Sequence, residues 1–425
     1  MAPPDGRRVR ILHVTPSFYP AWAYGGVTRC TYELCRTLAQ RGEAVTVWTT
    51  DVLDAGTRTL EREATVAGIQ VRYFPNLSNR LAYHAQLYLP RGLRLHARRH
   101  IHEFDLVHLH AHRHMLNAIV GGAARRAGIP YVFSGHGTVQ PVERYVMAKH
   151  IVDAVGGRAL LQRAQACIAV AAVEVAHYRA LDVDPRRVQV IPNGVRLDEY
   201  ARPPQRGAFR RRHALGAAPL VLFVGKITPR KGVDVLVRAL ARMPPDVQLV
   251  VAGNFMMAAE PLRDLARTLG VSDRVHFVGF LPGDDKLAAY VDADVVAYPS
   301  VHEIFGLVPF EALMCGTPAV VCDDSGCAEV LAAADAALLV TYGDPQALAD
   351  ALSRLLHDTQ LRQGMVARGR AFIDAHLGWE SVAERTIALY RDVIQRRSYA
   401  SGVAATAPHN PPPRADDSDV RTQVE

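Results

Sequence analysis

Two glutamates eight positions apart, Glu303 and Glu311, stand in the run "VHEIFGLVPFEALMCGTP", whose other residues have the composition of a core segment. A buried carboxylate that lacks its partner costs about 3–5 kcal/mol, so each must meet hydrogen-bond donors or positive charge. Two nearby stretches carry further chemistry. In "LFVGKITPRKGVDVL" a strand-like run ends at Gly225, and Lys226, Arg230 and Lys231 follow before a helix-like run. In "DDSGCAEV" Ser325 and Gly326 precede another helix-like run, where free backbone N–H groups and a small residue admit an anion. Cations suit a diphosphate, and carboxylates suit sugar hydroxyls, which donate to them. Taken singly, each feature has an ordinary explanation: a solvated basic loop, a solvated loop carboxylate, or a glutamate placed favourably near a helix start. Their convergence on three successive strand ends argues for one crevice. The spacing around Lys226 is not GxxxxGK[ST], which argues against an ATPase loop.

The first half carries its own candidates. Gly25 and Gly26 in "AWAYGGVTRC" open a helix-like run where backbone can approach a ligand, and His136 lies between two glycines in "YVFSGHGT", just past a strand-like run. In "HLHAHRH" His108, His110, His112 and His114 alternate. Alternate residues of a strand share a face, but Cβ atoms about 7 Å apart make poor tetrahedral geometry, so no metal site is assigned. His108 and His110 are expected at the edge of the cleft. In "YLPRGLRLHARRHIHEF" Leu93, Ala97, Ile101 and Phe104 recur at helical spacing among Arg91, Arg94, Arg98 and Arg99. Such a helix either lies on an anionic membrane surface or packs as an ordinary domain helix.

The elements that must hold these residues alternate. "VRILHV", "AVTVWTT", "IQVRYF", "LVHLHA", "YVFSGH", "ACIAVA" and "VQVIP" read as strands separated by amphipathic helical patterns. The pattern breaks over the Pro-, Arg- and Gly-rich residues 196–218 and restarts at "LVLFVG", "VQLVVAG", "VHFVGF", "DVVAYPS" and "AVVCDD". This predicts an α/β protein of two Rossmann-like, doubly wound domains joined by a linker. Helices are expected over 345–357 and 378–396, and the Ala-, Pro-, Ser- and Asp-rich residues 398–425 as a disordered tail. With 425 residues, 49% hydrophobic and 21% charged, the chain is long enough for two cores and unlike a disordered or fibrous protein. The net charge of +7 points to anionic partners. Six cysteines form no CxxC pair and sit mostly in apolar segments, as expected for a reducing compartment. No apolar run approaches the ~18 residues of a membrane span, and residues 1–8 are too short for a signal peptide, so a cytoplasmic protein is expected, with peripheral contact at the inner face of the cell membrane left open.

The ordered series "VGKITPRKG", "YPSVHEIFGLVPFEALMCGTPAV" and "SGCAEV" resembles the retaining glycosyltransferases of family 4, over about residues 8–396. The resemblance implies the GT-B fold, two Rossmann-like domains facing a central cleft. Residues 1–198 would form the acceptor-side domain, with the 378–396 helix packed back on it, and 199–377 the nucleotide-sugar domain. It implies transfer of a sugar from a nucleoside diphosphate sugar to a hydroxyl acceptor, such as a lipid-linked bacterial surface glycan, with no metal and no cofactor beyond that co-substrate. By the same resemblance Glu311 binds the ribose and Glu303 the donor sugar, Lys226 and Lys231 neutralise the diphosphate, and His136 contacts the sugar near the reacting carbon. Gly25, Gly26, Gly225, Phe305, Gly306, Leu307, Ser325 and Gly326 complete the donor site. Lys226 stands where the family usually has Arg, a point charge in place of a bidentate fork, and Ser325 stands where it has Gly. A sugar phosphorylase or nucleotide-sugar epimerase of similar architecture, or a catalytically silent sugar-nucleotide or membrane-binding protein, are the alternatives. Nucleic-acid binding is not expected, since basic and aromatic residues do not interleave.

Overall fold

The computed structural model describes residues 8–140, 146–254 and 259–406. Two sheets result from the apolar runs. The first contains β1 (Arg10–Val14), β2 (Ala44–Thr50), β3 (Glu63–Val66), β4 (Ile69–Phe74), β5 (Leu106–His110), β6 (Tyr131–Ser134), β7 (Ala166–Ala169) and β8 (Val188–Val190), in the order β3-β4-β2-β1-β5-β6-β7-β8. The second contains β9 (Leu220–Val224), β10 (Gln248–Ala252), β11 (Val275–Gly279), β12 (Val295–Tyr298), β13 (Ala319–Cys322) and β14 (Leu338–Val340), in the order β11-β10-β9-β12-β13-β14. Every pairing is parallel except β3 with β4. Such sheets are covered on both faces, which is why β5, β6, β7, β12 and β13 are buried along their whole length. In each sheet the strand order reverses beside the first strand, β1 or β9. Ligands of open parallel sheets bind in the crevice outside the carboxyl ends at that reversal. The loops leaving β1 and β9 are those that carry Gly25–Gly26 and Lys226–Lys231.

Several expectations change. The antiparallel β3, "EATV", escapes a search for apolar runs because it is a four-residue edge strand. A helix at Thr359–His376 was not expected; its buried positions Met365, Gly369 and Ile373 fall on one face, but two glycines dilute the pattern. The final helix runs from Trp379 to Thr406, nine residues into the expected tail that begins at 398. Once a helix is nucleated each further residue adds a hydrogen bond, and alanine favours it most. The rest of that tail lies outside the described residues.

Residues 196–218 are no bare linker. They hold short helices at Leu197–Tyr200 and Ala208–Arg212, with Phe209 buried. Asp292 accepts hydrogen bonds from the backbone N–H groups of Gly207 and Arg210, while Asp294 pairs with Arg210 at 2.8 Å and accepts from Leu220 N at 2.9 Å. These two aspartates thus bind the crossing segment to the amino end of β12, away from the crevice.

The helix Trp379–Thr406 packs on the helix Gly26–Gln40, and Trp379, Val382, Ala383, Ile387 and Tyr390 enter one apolar cluster with Ile11, Leu34, Leu38 and Val45. The chain therefore crosses between the halves twice, and the crossings touch: Val195 pairs with Gly378, and Gly194 has no room for a side chain against the Trp379 ring.

The basic helix Leu93–His100 turns its apolar side inward. Leu93, Ala97, Ile101 and Phe104 all belong to the core of the first half, leaving Arg91, Arg94, Arg98 and Arg99 exposed. Its hydrophobic stripe is therefore unavailable for insertion into a bilayer. Among the described residues no helix is long and apolar enough to cross a membrane.

Candidate active site

The crevice between the two sheets holds a cavity of about 370 Å³ walled by both halves: Gly26 and His136 from the first, Arg230, Glu303, Phe305, Gly306 and Leu307 from the second. A second cavity of about 380 Å³ adjoins it, sharing Cys30 and Leu307, and contains Glu311. Of the expected donor residues, Gly26, Glu303, Phe305, Gly306, Leu307 and Glu311 line these cavities together with His136, and the two glutamates stand in neighbouring compartments.

Gly25 precedes the helix Gly26–Gln40 with φ +90, a conformation that L side chains rarely adopt, so the helix can begin abruptly after the turn Trp22–Tyr24. No side chain caps this end, and its first N–H groups carry the positive end of the helix dipole. Across the cleft, Nζ of Lys226 lies 3.7 Å from where a Cβ on Gly25 would be. Lys226 is exposed and has no ion pair among the described residues. The free helix end of one half and the lysine of the other therefore face the same point. Gly225 donates its N–H to Ala252 O at 3.0 Å, which holds the β9 loop against β10.

Lys231 and Glu303 are not independent groups. The Lys231 ammonium bonds Glu303 Oε2 and, at 3.0 Å, the Tyr298 hydroxyl, and sits 4.9 Å from the centre of that ring. Burial and the nearby Glu303 carboxylate hold the Tyr298 phenol well above its usual range, so it remains a hydrogen-bond donor or acceptor and never a charge. The partner that the partly buried Glu303 requires is thus Lys231. This pairing was not legible in the sequence, where the two stand 72 positions apart.

Glu311 is likewise held within the protein. Oε1 accepts from Lys286 Nζ at 3.0 Å and Oε2 from the Tyr290 hydroxyl at 2.8 Å, both on the helix Gly283–Asp292. The Tyr200 hydroxyl also lies within hydrogen-bonding reach of this carboxylate; of the about four lone-pair sites that a carboxylate offers, one then remains for a ligand's hydroxyl. Glu311→Gln removes the charge while keeping the shape. It is expected to weaken binding of a nucleoside diphosphate about tenfold, since hydrogen bonds to charged groups contribute ~1.5–3 kcal/mol. Equal affinities for parent and variant by titration calorimetry would remove Glu311 from the ligand site.

The turn Ser325–Gly326 is corrected. Expected to receive phosphate, it faces the protein. Ser325 is 3% exposed; its hydroxyl donates to Cys322 O at 2.8 Å and accepts from Ala328 N at 3.2 Å, capping the helix Gly326–Ala333. Gly326 N donates to the Glu303 carbonyl at 2.8 Å, and a Cβ here would overlap the Ile304 carbonyl. Gly326 is small so that the Glu303 loop can cross over it. Within that loop Phe305 stacks on Phe310 at 5.2 Å, and Gly306 leaves space for the Tyr298 hydroxyl.

His136 has φ +50, a backbone conformation costly for a side chain and common where a site enforces it. Two residues that sequence reasoning missed hold its loop. Glu174, fully buried, accepts from Gly137 N at 2.6 Å and Val170 N at 2.9 Å; burial pushes its carboxyl up to about 7. The Tyr178 hydroxyl accepts from Gly135 N at 2.7 Å and donates to Ile168 O at 2.9 Å. A strand-end glutamate two residues into a helix was visible as a sequence feature, but nothing marked its target. His108 and His110 are not at the cleft edge; both are buried, their rings tilted by 35° with centres 3.9 Å apart. His112 pairs with Asp153 at 2.8 Å and His114 meets the Tyr88 ring.

Among the described residues, one trio of candidate metal ligands lies close together, His13, His108 and His110. Both ring nitrogens of His108 are already taken. They meet the Tyr390 hydroxyl at 2.5 Å and the Ser134 hydroxyl at 2.7 Å. The acid pair Asp323–Asp324 diverges: Asp323 accepts from the Thr341 hydroxyl and Asp324 from His302 N.

Comparison with known proteins agrees with this geometry. Residues 205–372 match the family model described as glycosyl transferases group 1, and residues 24–199 match that of glycosyltransferase family 4. A D-inositol 3-phosphate glycosyltransferase of Xylanimonas cellulosilytica is 33% identical over 419 residues, covering 92% of this chain and 98% of the relative. The enzyme of that name from Kribbella flavida is 33% identical over 416 residues, with 92% and 96% covered. Among solved structures, Anabaena HepE in complex with UDP superposes with a TM-score of 0.73 at 22% identity, over 90% of this chain and all of that one.

Proposed function

The chain belongs to glycosyltransferase family 4, with the GT-B fold, and from that premise we propose that it transfers a sugar from a nucleoside diphosphate sugar to a hydroxyl acceptor with retention at the anomeric carbon. The observation that carries this reading is the approach of Lys226 to Gly25 across the cleft, which sets a cation and a free helix end around one point. A diphosphate there would be neutralised from both halves at once, and its departure would build negative charge where that field is strongest. Lys231 is bonded to Glu303, the carboxylate assigned to the sugar. His136 lines the same cavity, and burial lowers its imidazole to about 4, so it acts there as a neutral hydrogen-bonding group. The departing diphosphate takes the acceptor proton on the face it leaves, and the protein supplies position and charge.

The test is a thermal-shift panel of nucleoside diphosphates and their sugars. Ligand at 100 times its Kd stabilises by ~2.7 kcal/mol, so at least one diphosphate is expected to raise Tm by several degrees. No shift with any of them overturns the donor reading. The relatives' name makes a cyclitol phosphate the first acceptor to assay; a lipid-linked surface glycan is the second. A sugar released from the donor into phosphate, or a donor converted to its epimer without acceptor, would instead reveal a phosphorylase or an epimerase.

We further propose that transfer requires no divalent metal. Lys226, Lys231 and the helix end provide the positive charge that Mg²⁺ would otherwise bring, while Asp292 and Asp294 are committed to the crossing segment. Activity is expected to persist in EDTA. Loss of transfer on chelation, restored by Mg²⁺ or Mn²⁺, would overturn both this claim and the charge assignment behind it.

A further inference from the structure

His136 ends a row of three imidazoles. His13 Nδ1 lies 2.9 Å from His110 Nε2, and His110 Nδ1 lies 3.0 Å from His136 Nε2. His13 and His110 are fully buried, and burial holds both below the usual histidine range, so the row is neutral. A neutral imidazole has one N–H and one lone pair. The two hydrogen bonds of the row must therefore run in the same direction, leaving an N–H at one end and a lone pair at the other.

The ends are not equivalent. His13 Nε2 has no hydrogen-bond partner and no solvent. His136 Nδ1 also closes no well-aligned bond, but the Asn193 side-chain amide stands within reach of that ring and lines the same cavity. An orphaned buried N–H costs more than an orphaned lone pair, because donors in protein interiors are almost always matched. The N–H therefore belongs at the His136 end, where an amide oxygen can take it.

We propose that the row His13–His110–His136 fixes His136 as its Nδ1–H form, which turns the Asn193 amide so that its oxygen faces His136 and its NH₂ faces the cleft, as a donor to an oxygen of the bound substrate. His13 and His110 are then positioning residues, and Asn193 a substrate-binding residue. The inference rests on the cleft being the substrate site, as proposed above. It also explains why a histidine from β1, a strand that sends no side chain into the cavity, stands at the far end: its Nδ1–H is the donor that sets the direction.

The decisive measurement is the nitrogen spectrum of ¹⁵N-histidine-labelled full-length protein at neutral pH, with the His136 signals identified by their loss in His136→Gln. His136 is expected to carry its proton on Nδ1. A proton on Nε2 overturns the proposal, and this reading needs no variant to fold other than the one used for identification. His13→Asn, whose amide N–H replaces Nδ1–H, is expected to keep the Nδ1–H form, and His13→Asp, whose carboxylate can only accept from His110 Nε2, to reverse it; an unchanged His136 in a folded His13→Asp overturns the role of His13. Calorimetry with UDP-glucose tests Asn193: Asn193→Asp, which presents acceptors where donors are needed, is expected to raise Kd about tenfold, and an equal Kd overturns that assignment. The spectrum requires no substrate, so its outcome is separate from that of the nucleotide panel.

Discussion

Lys231→Ala is expected to lower turnover at saturating substrates by about 100-fold or more while changing donor affinity far less. Charge on the departing diphosphate is greater in the transition state than in the bound donor, so a cation placed there acts mainly on the rate. The structure adds a second loss: without the ammonium, Glu303 keeps only a fifth of its side-chain surface in water and has no cation to answer it, so the carboxylate assigned to the sugar would also move. Lys231→Arg is not expected to restore the rate, because a planar fork cannot take the place of a compact ammonium held between Glu303, the Tyr298 hydroxyl and its ring. Steady-state kinetics with calorimetric donor affinity decides the matter. A turnover number within twofold of the parent would remove Lys231 from the reaction.

The second large effect is expected at a residue packed against the backbone of the Glu303 loop. Gly326→Ala puts a methyl group onto the Ile304 carbonyl and within 2.7 Å of the Ala171 side chain, and both neighbours are fixed. Neither can give way cheaply, because Ile304 follows the residue whose carbonyl accepts from Gly326 N, and Ala171 lies in the buried end of the first half. Overpacking of this kind costs about 1–3 kcal/mol. The displaced segment carries Glu303, and a misplacement of ~1 Å costs about 100-fold in rate. The expected result is a folded protein with a lowered Tm and turnover reduced by one to two orders of magnitude. A crystal structure of the variant with the Glu303 loop unmoved, or undiminished turnover, would show that the turn has no part in positioning the glutamate.

The two predictions mark where sequence is informative and where it stops. Strands such as "LVLFV" and "AVVC" were legible because burial on both faces requires unbroken apolar runs. Glu303 and Glu311 stood out because a carboxylate in a core-like stretch needs a reason. What answers each carboxylate was not legible. Lys231 and Lys286 reach Glu303 and Glu311 from other strand–helix units, and a sequence contains no distance between units. The loop that crosses Gly326 was not legible for the same reason: a glycine at a helix start looks alike whether a ligand or another loop needs the space. The histidine row depends on β1, β5 and β6 lying side by side, with His13 opposite His108 and His110 opposite Ser134. Strand order is set by packing of the whole sheet, so alternation along "HLHAHRH" pointed to a metal question and not to a row that runs across strands.

The second crossing between the halves has a consequence for how the chain is made. The sheet of the first half is complete at Val190, but Ile11, Leu34, Leu38 and Val45 are covered by a helix that begins only at Trp379. At about 5–20 residues per second of synthesis, that apolar face waits roughly 10–40 s for its cover, while the whole second half emerges and can close its own core. During that interval the ribosome-bound nascent chain presents a folded sheet with one sticky side, a natural client for a holding chaperone.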